Sequence, residues 1–88
     1  MITVKIREDP VVKSLNELRP NEMGTVMKIH GGRGLANRLG ALGIIPGAKI
    51  TKISTMSTRG PTTVLVNRTQ VALGFGMASK IIINVDRT

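Results

Sequence analysis

Between His30 and Ile50 the hydrophobic positions follow a helical rule. Leu35, Leu39 and Leu42 recur at i, i+4 and i+7, which places three branched side chains on one face and requires an apolar surface beneath them. Gly31, Gly32 and Gly34 loosen the chain ahead of this stripe, Gly43 suits the left-handed position after a helix, and Pro46 forbids continuation. The spacing predicts an α-helix over residues 34–43. Ala36, Gly40 and Gly43 form a second face of small residues. An interior glycine costs about 1 kcal/mol relative to alanine, so Gly40 implies a close approach, with the helix lying flat on a small sheet or barrel.

The rest of the chain reads as that sheet. Apolar and polar residues alternate from Ile2 to Ile6 and stop at Pro10, so residues 1–13 read as an edge strand or N-terminal extension. Ser14 and Glu17 have capping-box spacing, which predicts one helical turn closed by Pro20, and Arg19-Pro20-Asn21 turns into a strand at Met23–Ile29. After the Pro46-Gly47 turn, Ala48–Met56 sets Ile50 and Ile53 against polar Lys49, Lys52 and Ser54, a strand with room for a bulge. Arg59-Gly60-Pro61 is a turn and Thr62–Val66 a strand. Asn67–Gln70 forms a hairpin connection, and Val71–Leu73 resumes the sheet. Gly74-Phe75-Gly76 bends into a brief helical turn through Met77–Ser79, and Lys80–Val85 closes the sheet. Five short strands and one helix, with one or two single helical turns, describe a mainly β, partly open barrel formed by residues 14–88.

Eighty-eight residues make one small domain. With Phe75 as the single aromatic residue, its core must come from Val, Ile, Leu and five Met. There is no cysteine for a disulfide or thiolate site, and no long apolar run for a signal peptide or membrane span, so a cytoplasmic protein is expected. The formal charge of +8 predicts an anionic partner: nucleic acid, an acidic protein face or a lipid headgroup layer at the inner face of the membrane.

Specific chemistry is sparse. Glycines 31, 32 and 34 with Arg33 before a helix are the parts of a phosphate cradle, but the Walker pattern is absent, so a flexible lead-in to the helix is the preferred reading and no nucleotide site is expected. His30 is the lone histidine, and Glu8, Asp9, Glu17, Glu22 and Asp86 are scattered. No closed metal site is expected, only a weak or shared divalent metal such as Fe2+. No nucleophile, acid pair or serine–histidine arrangement suggests an enzyme. A basic barrel that binds nucleic acid is the alternative, set back by the lack of aromatic stacking platforms. Arg33 and Arg38 flank the apolar stripe, so Arg33, Leu35, Arg38, Leu39 and Leu42 are the candidate partner-binding residues. Gly43, Pro46, Gly47, Gly60 and Pro61 are candidate structural turns.

Three stretches resemble the family of ferrous iron transport protein A, FeoA. Leu15, Leu18, Pro20, Gly24, Val26 and Ile29 are similar to its opening pattern. Arg38, Leu39, Leu42, Gly43, Ile44, Pro46, Gly47 and Ile50 are similar to its helix and stop. Gly60, Pro61, Val64, Val66, Ala72, Leu73, Met77, Ala78 and Ile81 are similar to its closing part. Asn21 departs from the glycine usual after the proline, and residues 1–13 have no clear counterpart. The resemblance implies an SH3-like β-barrel and an accessory role beside the ferrous iron permease, whose cytoplasmic G-protein domain is the implied docking partner. Similar domains occur at the C-termini of metal-dependent repressors, which associates the family with transition metals.

Overall fold

The computed structural model describes residues 11–55 and 60–86. The alternation at Ile2–Ile6, the break at Pro10, the strand end at Met56 and the turn residue Arg59 lie outside them. Strand β1 (Val11–Ser14) leads through a 3-10 turn (Leu15–Glu17) to β2 (Met23–Ile29), then helix α1 (Gly32–Gly40). After it come β3 (Lys49–Thr55), β4 (Thr62–Val66), β5 (Thr69–Leu73), the short helix α2 (Phe75–Ala78) and β6 (Ile81–Val85). All strand pairs are antiparallel, in the order β1-β6-β2-β3-β4-β5, so β1 and β5 are the edges.

Period-two patterning builds the core. Thr62, Val64 and Val66 of β4 and Ile81, Ile83 and Val85 of β6 point inward, and Val26, Ile50 and Leu73 join them from the other strands. Leu15 of the 3-10 turn and Leu18 just after it, Leu39 of α1, Ile44 and Ala78 close the ends of this core. Gly24 sets the β2–β6 spacing: a Cβ there would lie 2.4 Å from the Asn84 carbonyl oxygen and 2.6 Å from Ile83 Cγ2. Glu17 accepts a bond from the Ser14 N–H at 3.0 Å, the contact that the capping-box spacing predicts.

Several expectations are corrected. Helix α1 starts at Gly32 and ends at Gly40, because i→i+3 bonds tighten the chain beyond it: Leu42 N–H to Leu39 O at 2.9 Å and Gly43 N–H to Gly40 O at 2.9 Å. Among the described residues there are six strands: the five expected in residues 14–88 are joined by Val11–Ser14, which pairs along β6 at the sheet edge. The β4–β5 connection is the two residues Asn67-Arg68, with φ of 51° and 65°, as a type I′ turn requires, so β5 starts at Thr69 rather than Val71. The late helical turn spans Phe75–Ala78, ahead of its expected place. Methionine does not build the core: Met23 and Met27 are exposed and Met77 only packs against its rim, while Met1 and Met56 lie outside the described residues.

Candidate docking surface

Helix α1 divides the predicted apolar stripe. Leu39 is 0% exposed, and Leu35 is half-buried against the core. Leu42, expected on the same face, is 41% exposed, because tightening beyond Gly40 turns it away from the sheet. Ile44 takes its place: its N–H bonds to Leu39 O at 3.0 Å, and both side chains are fully buried. With Gly43 at φ +88°, these bonds make a Schellman ending whose hydrophobic contact is Leu39 with Ile44. Leu39 is therefore a core residue and not a contact residue.

The next residue must then face away. Ile45 is 51% exposed, and a Cβ on Gly40 would lie 3.6 Å from its Cγ2, an ordinary contact. The space beside Gly40 therefore admits alanine, against the close approach that its place in the helix implied. Pro46 and Gly47 form a type II turn, with Ala48 N–H bonded to Ile45 O at 2.9 Å and Gly47 at φ +96°. Gly47 N–H to Val26 O at 2.8 Å and Val26 N–H to Ala48 O at 2.9 Å fasten this turn to β2. A Cβ on Gly43 would lie 2.4 Å from Asn67 Nδ2, so the β4–β5 turn abuts the helix end. Gly60 and Pro61 lead into β4, where Pro61 is exposed.

Arg33 and Arg38 are both exposed, but they stand five residues apart, about 140° around the helix axis. They do not share a face. Arg38 lies one turn before Leu42 and belongs with Leu42 and Ile45 at the C-terminal end of α1. Arg33 lies in the first turn, which holds no acidic residue and has no side-chain cap. The patch of Arg38, Leu42 and Ile45 joins two protruding aliphatic side chains to one guanidinium, a composition suited to docking on a protein surface. The sequence contained the signal for Ile45: once Gly43 is placed after the helix, Ile44 must turn in and Ile45 out.

A second constellation escaped the sequence reading. Lys52, expected on the polar face of its strand, is 4% exposed. Ile50 and Lys52 stand two residues apart on β3 and both point inward, while Ile53, at the β3–β4 register shift between Lys52 and Ser54, is half-buried. Lys52 Nζ donates to Leu18 O at 2.6 Å and to Asn16 O at 3.2 Å, which ties the 3-10 turn to the barrel wall. Burial holds its pKa below the ordinary lysine value, partly offset by the charge of Glu22. Glu22 accepts from the Arg19 N–H at 2.8 Å and from Lys13 Nζ at 3.4 Å. The Arg19 backbone bond, reinforced by Lys13, holds its carboxyl below the usual range against a smaller opposing effect of burial. Among the described residues no group of three His, Cys, Asp or Glu side chains is placed to hold a metal ion. No helix among them is long and apolar enough to cross a membrane.

Comparison with known proteins identifies this architecture. The family model described as FeoA domain matches residues 13–85. A crystal structure of an iron uptake regulatory protein, FeoA, is 30% identical with a TM-score of 0.79, covering 86% of this chain and 99% of its own. FeoA of Stenotrophomonas maltophilia, solved with zinc and described as an SH3 domain protein and candidate ferrous iron transport activating factor, is 25% identical with a TM-score of 0.68. That match covers 83% of this chain and 94% of the other. A manganese-dependent transcriptional repressor shares the fold at 20% identity and TM-score 0.79, over 89% of this chain but 44% of the repressor. No curated protein matches by sequence. The fold is thus a mainly β, SH3-like barrel, and the chain belongs to the FeoA family, which is tied to ferrous iron transport.

Proposed function

We propose that this protein is a cytoplasmic accessory protein of ferrous iron uptake. It works at the inner face of the membrane by docking on the cytoplasmic G-protein part of the ferrous iron permease. The observation that carries this reading is the exposed pair Leu42 and Ile45 beside Arg38, at the end of α1. The family's tie to ferrous iron transport supports it, as does the description of the Stenotrophomonas relative as a candidate transport activating factor. The Schellman ending and the Pro46-Gly47 turn hold both aliphatic side chains outward on a backbone fixed by six hydrogen bonds, which leaves it less freedom to lose on binding than an open loop has.

Docking buries the exposed halves of Leu42 and Ile45, a gain of about 1 kcal/mol each. Isothermal titration of the soluble G-protein domain of the permease tests the reading. Ile45→Asp is expected to weaken binding about tenfold or more, since it removes the apolar contact and leaves a carboxylate to desolvate. Arg38→Glu weakens it as well, whereas Gln70→Glu on the exposed edge strand β5 leaves it unchanged. Equal affinity for all three variants contradicts this surface, and no binding by the wild type contradicts docking on that domain.

A further inference from the structure

The charges of this molecule are segregated. No Asp or Glu occurs between Glu22 and Asp86, a run that includes α1, β3, β4, β5 and α2. The carboxylates among the described residues are each engaged: Glu17 with the Ser14 N–H, Glu22 with Arg19 and Lys13, and Asp86 with Lys49. The end of the barrel where β2 finishes and β6 begins therefore gathers cations with no partner carboxylate in the same stretch of chain.

Three of these cations, Lys28, Arg33 and Lys80, stand there with His30. Lys28 faces Ile82 across the β2–β6 pair, and the His30 N–H donates to Lys80 O at 2.8 Å. A Cβ on Gly31 would lie 3.1 Å from Lys80 Cδ, so the Lys80 stem runs across the start of α1, where Arg33 occupies the first turn. Lys28, His30, Arg33 and Lys80 are all exposed. Beside them the register shift between Val26 and Lys28 displaces Met27, which is 43% exposed. This group differs from the patch at the other end of α1: it has several cations around one flexible thioether, and no rigid aliphatic anchor. Protein docking concentrates its energy in well-packed anchors, whereas a fluid anionic bilayer adapts to any arrangement of cations and accepts a shallow apolar side chain.

We propose that Lys28, Arg33 and Lys80, with His30 and Met27, form a contact surface for anionic phospholipid head groups. It lies beside the permease-docking patch and uses other side chains. It shares with that reading only a location at the inner face of the membrane, and reassigns Arg33 from protein docking to lipid contact. Each cation near an anionic leaflet strengthens partitioning about fivefold, and the contact weakens as salt rises.

Cosedimentation of the full chain with vesicles, in the absence of any permease, tests this. Vesicles of phosphatidylcholine with phosphatidylglycerol are expected to retain the protein, and vesicles of phosphatidylcholine alone to release it. Lys28→Gln/Lys80→Gln is expected to lower partitioning about 25-fold. These exposed substitutions leave thermal unfolding unchanged, and titration of the permease domain with the same double variant keeps wild-type affinity. Arg38→Gln/Arg68→Gln makes the same change in net charge elsewhere and should have a much smaller effect. Equal loss in both double variants overturns the proposal, because net charge alone then governs binding. Failure to bind phosphatidylglycerol vesicles overturns it too, as does equally tight capture by polyglutamate, which points to an acidic protein instead.

Discussion

Replacing Lys52 with methionine keeps the length of a buried side chain while removing its charge and its donors. Lys52 Nζ reaches Leu18 O at 2.6 Å and Asn16 O at 3.2 Å, so the variant strands two carbonyls at the base of the 3-10 turn. A charged hydrogen bond contributes about 1.5–3 kcal/mol, and an orphaned buried acceptor costs about 1–3 kcal/mol. Against this, methionine carries no desolvation penalty, which offsets part of the loss. The net expectation is a destabilisation of about 2–4 kcal/mol. A domain of this size has only some 5–10 kcal/mol in total, and its melting temperature should fall by about 10–25 °C. Urea and thermal unfolding at neutral pH measure both. The pH dependence gives a second readout. The folded-state pKa of Lys52 is lowered, so the unfolded chain binds the extra proton, and wild-type stability gains from this residue as pH rises through the lowered value toward the ordinary 10.5. That gain is absent in the methionine variant. A variant as stable as wild type, or more so, refutes the assignment of Lys52 as the tie between the turn and the barrel.

Gly40→Ala is expected to stabilise by about 1 kcal/mol, since the new Cβ meets only Ile45 at an ordinary distance, whereas Gly24→Ala should cost about 2 kcal/mol or more through its clash with β6; urea midpoints separate the two. Arg68→Gly relieves a left-handed backbone at φ 65° and completes the Asn-Gly pair favoured in type I′ turns, for a net gain of about 0.5 kcal/mol measurable by melting temperature. The carboxyl of Glu22 is held low, so its stabilisation is present above the ordinary carboxylate pKa and lost as pH falls through the lowered value. Glu22→Gln should therefore be less stable than wild type near neutrality and converge with it in acid, as thermal melts across the acid range will show.

The elements with a simple period were legible in the sequence. β4 and β6 bury alternate residues as their Val and Ile spacing requires, and Pro46-Gly47 makes the turn its composition names. What escaped depended on where the period breaks. Lys52 stands two residues after Ile50, so alternation already sets both on the inward face; reading Ile50 and Ile53 as one apolar face spanned the register shift between Lys52 and Ser54 and hid the buried lysine. The helical stripe failed at Leu42 for a related reason: 3-10 bonds rotate each residue further than α-helical ones, so a leucine counted at i+7 left the core and Ile44 entered it. The proposed docking patch only overlaps the residues singled out from the sequence. Arg38 and Leu42 stood in the candidate set, Ile45 did not, and Leu39 belonged to the core.

We propose that the end of α1 and its following turn meet the permease. The most direct measurement is an amide-shift titration of the labelled full chain with the soluble G-protein domain of the ferrous iron permease, at physiological salt, with and without guanine nucleotide. Shifts concentrated from Arg38 to Ala48 are expected, with Lys28 and Lys80 little affected. Shifts elsewhere on the barrel, or none in any nucleotide state, contradict the proposal.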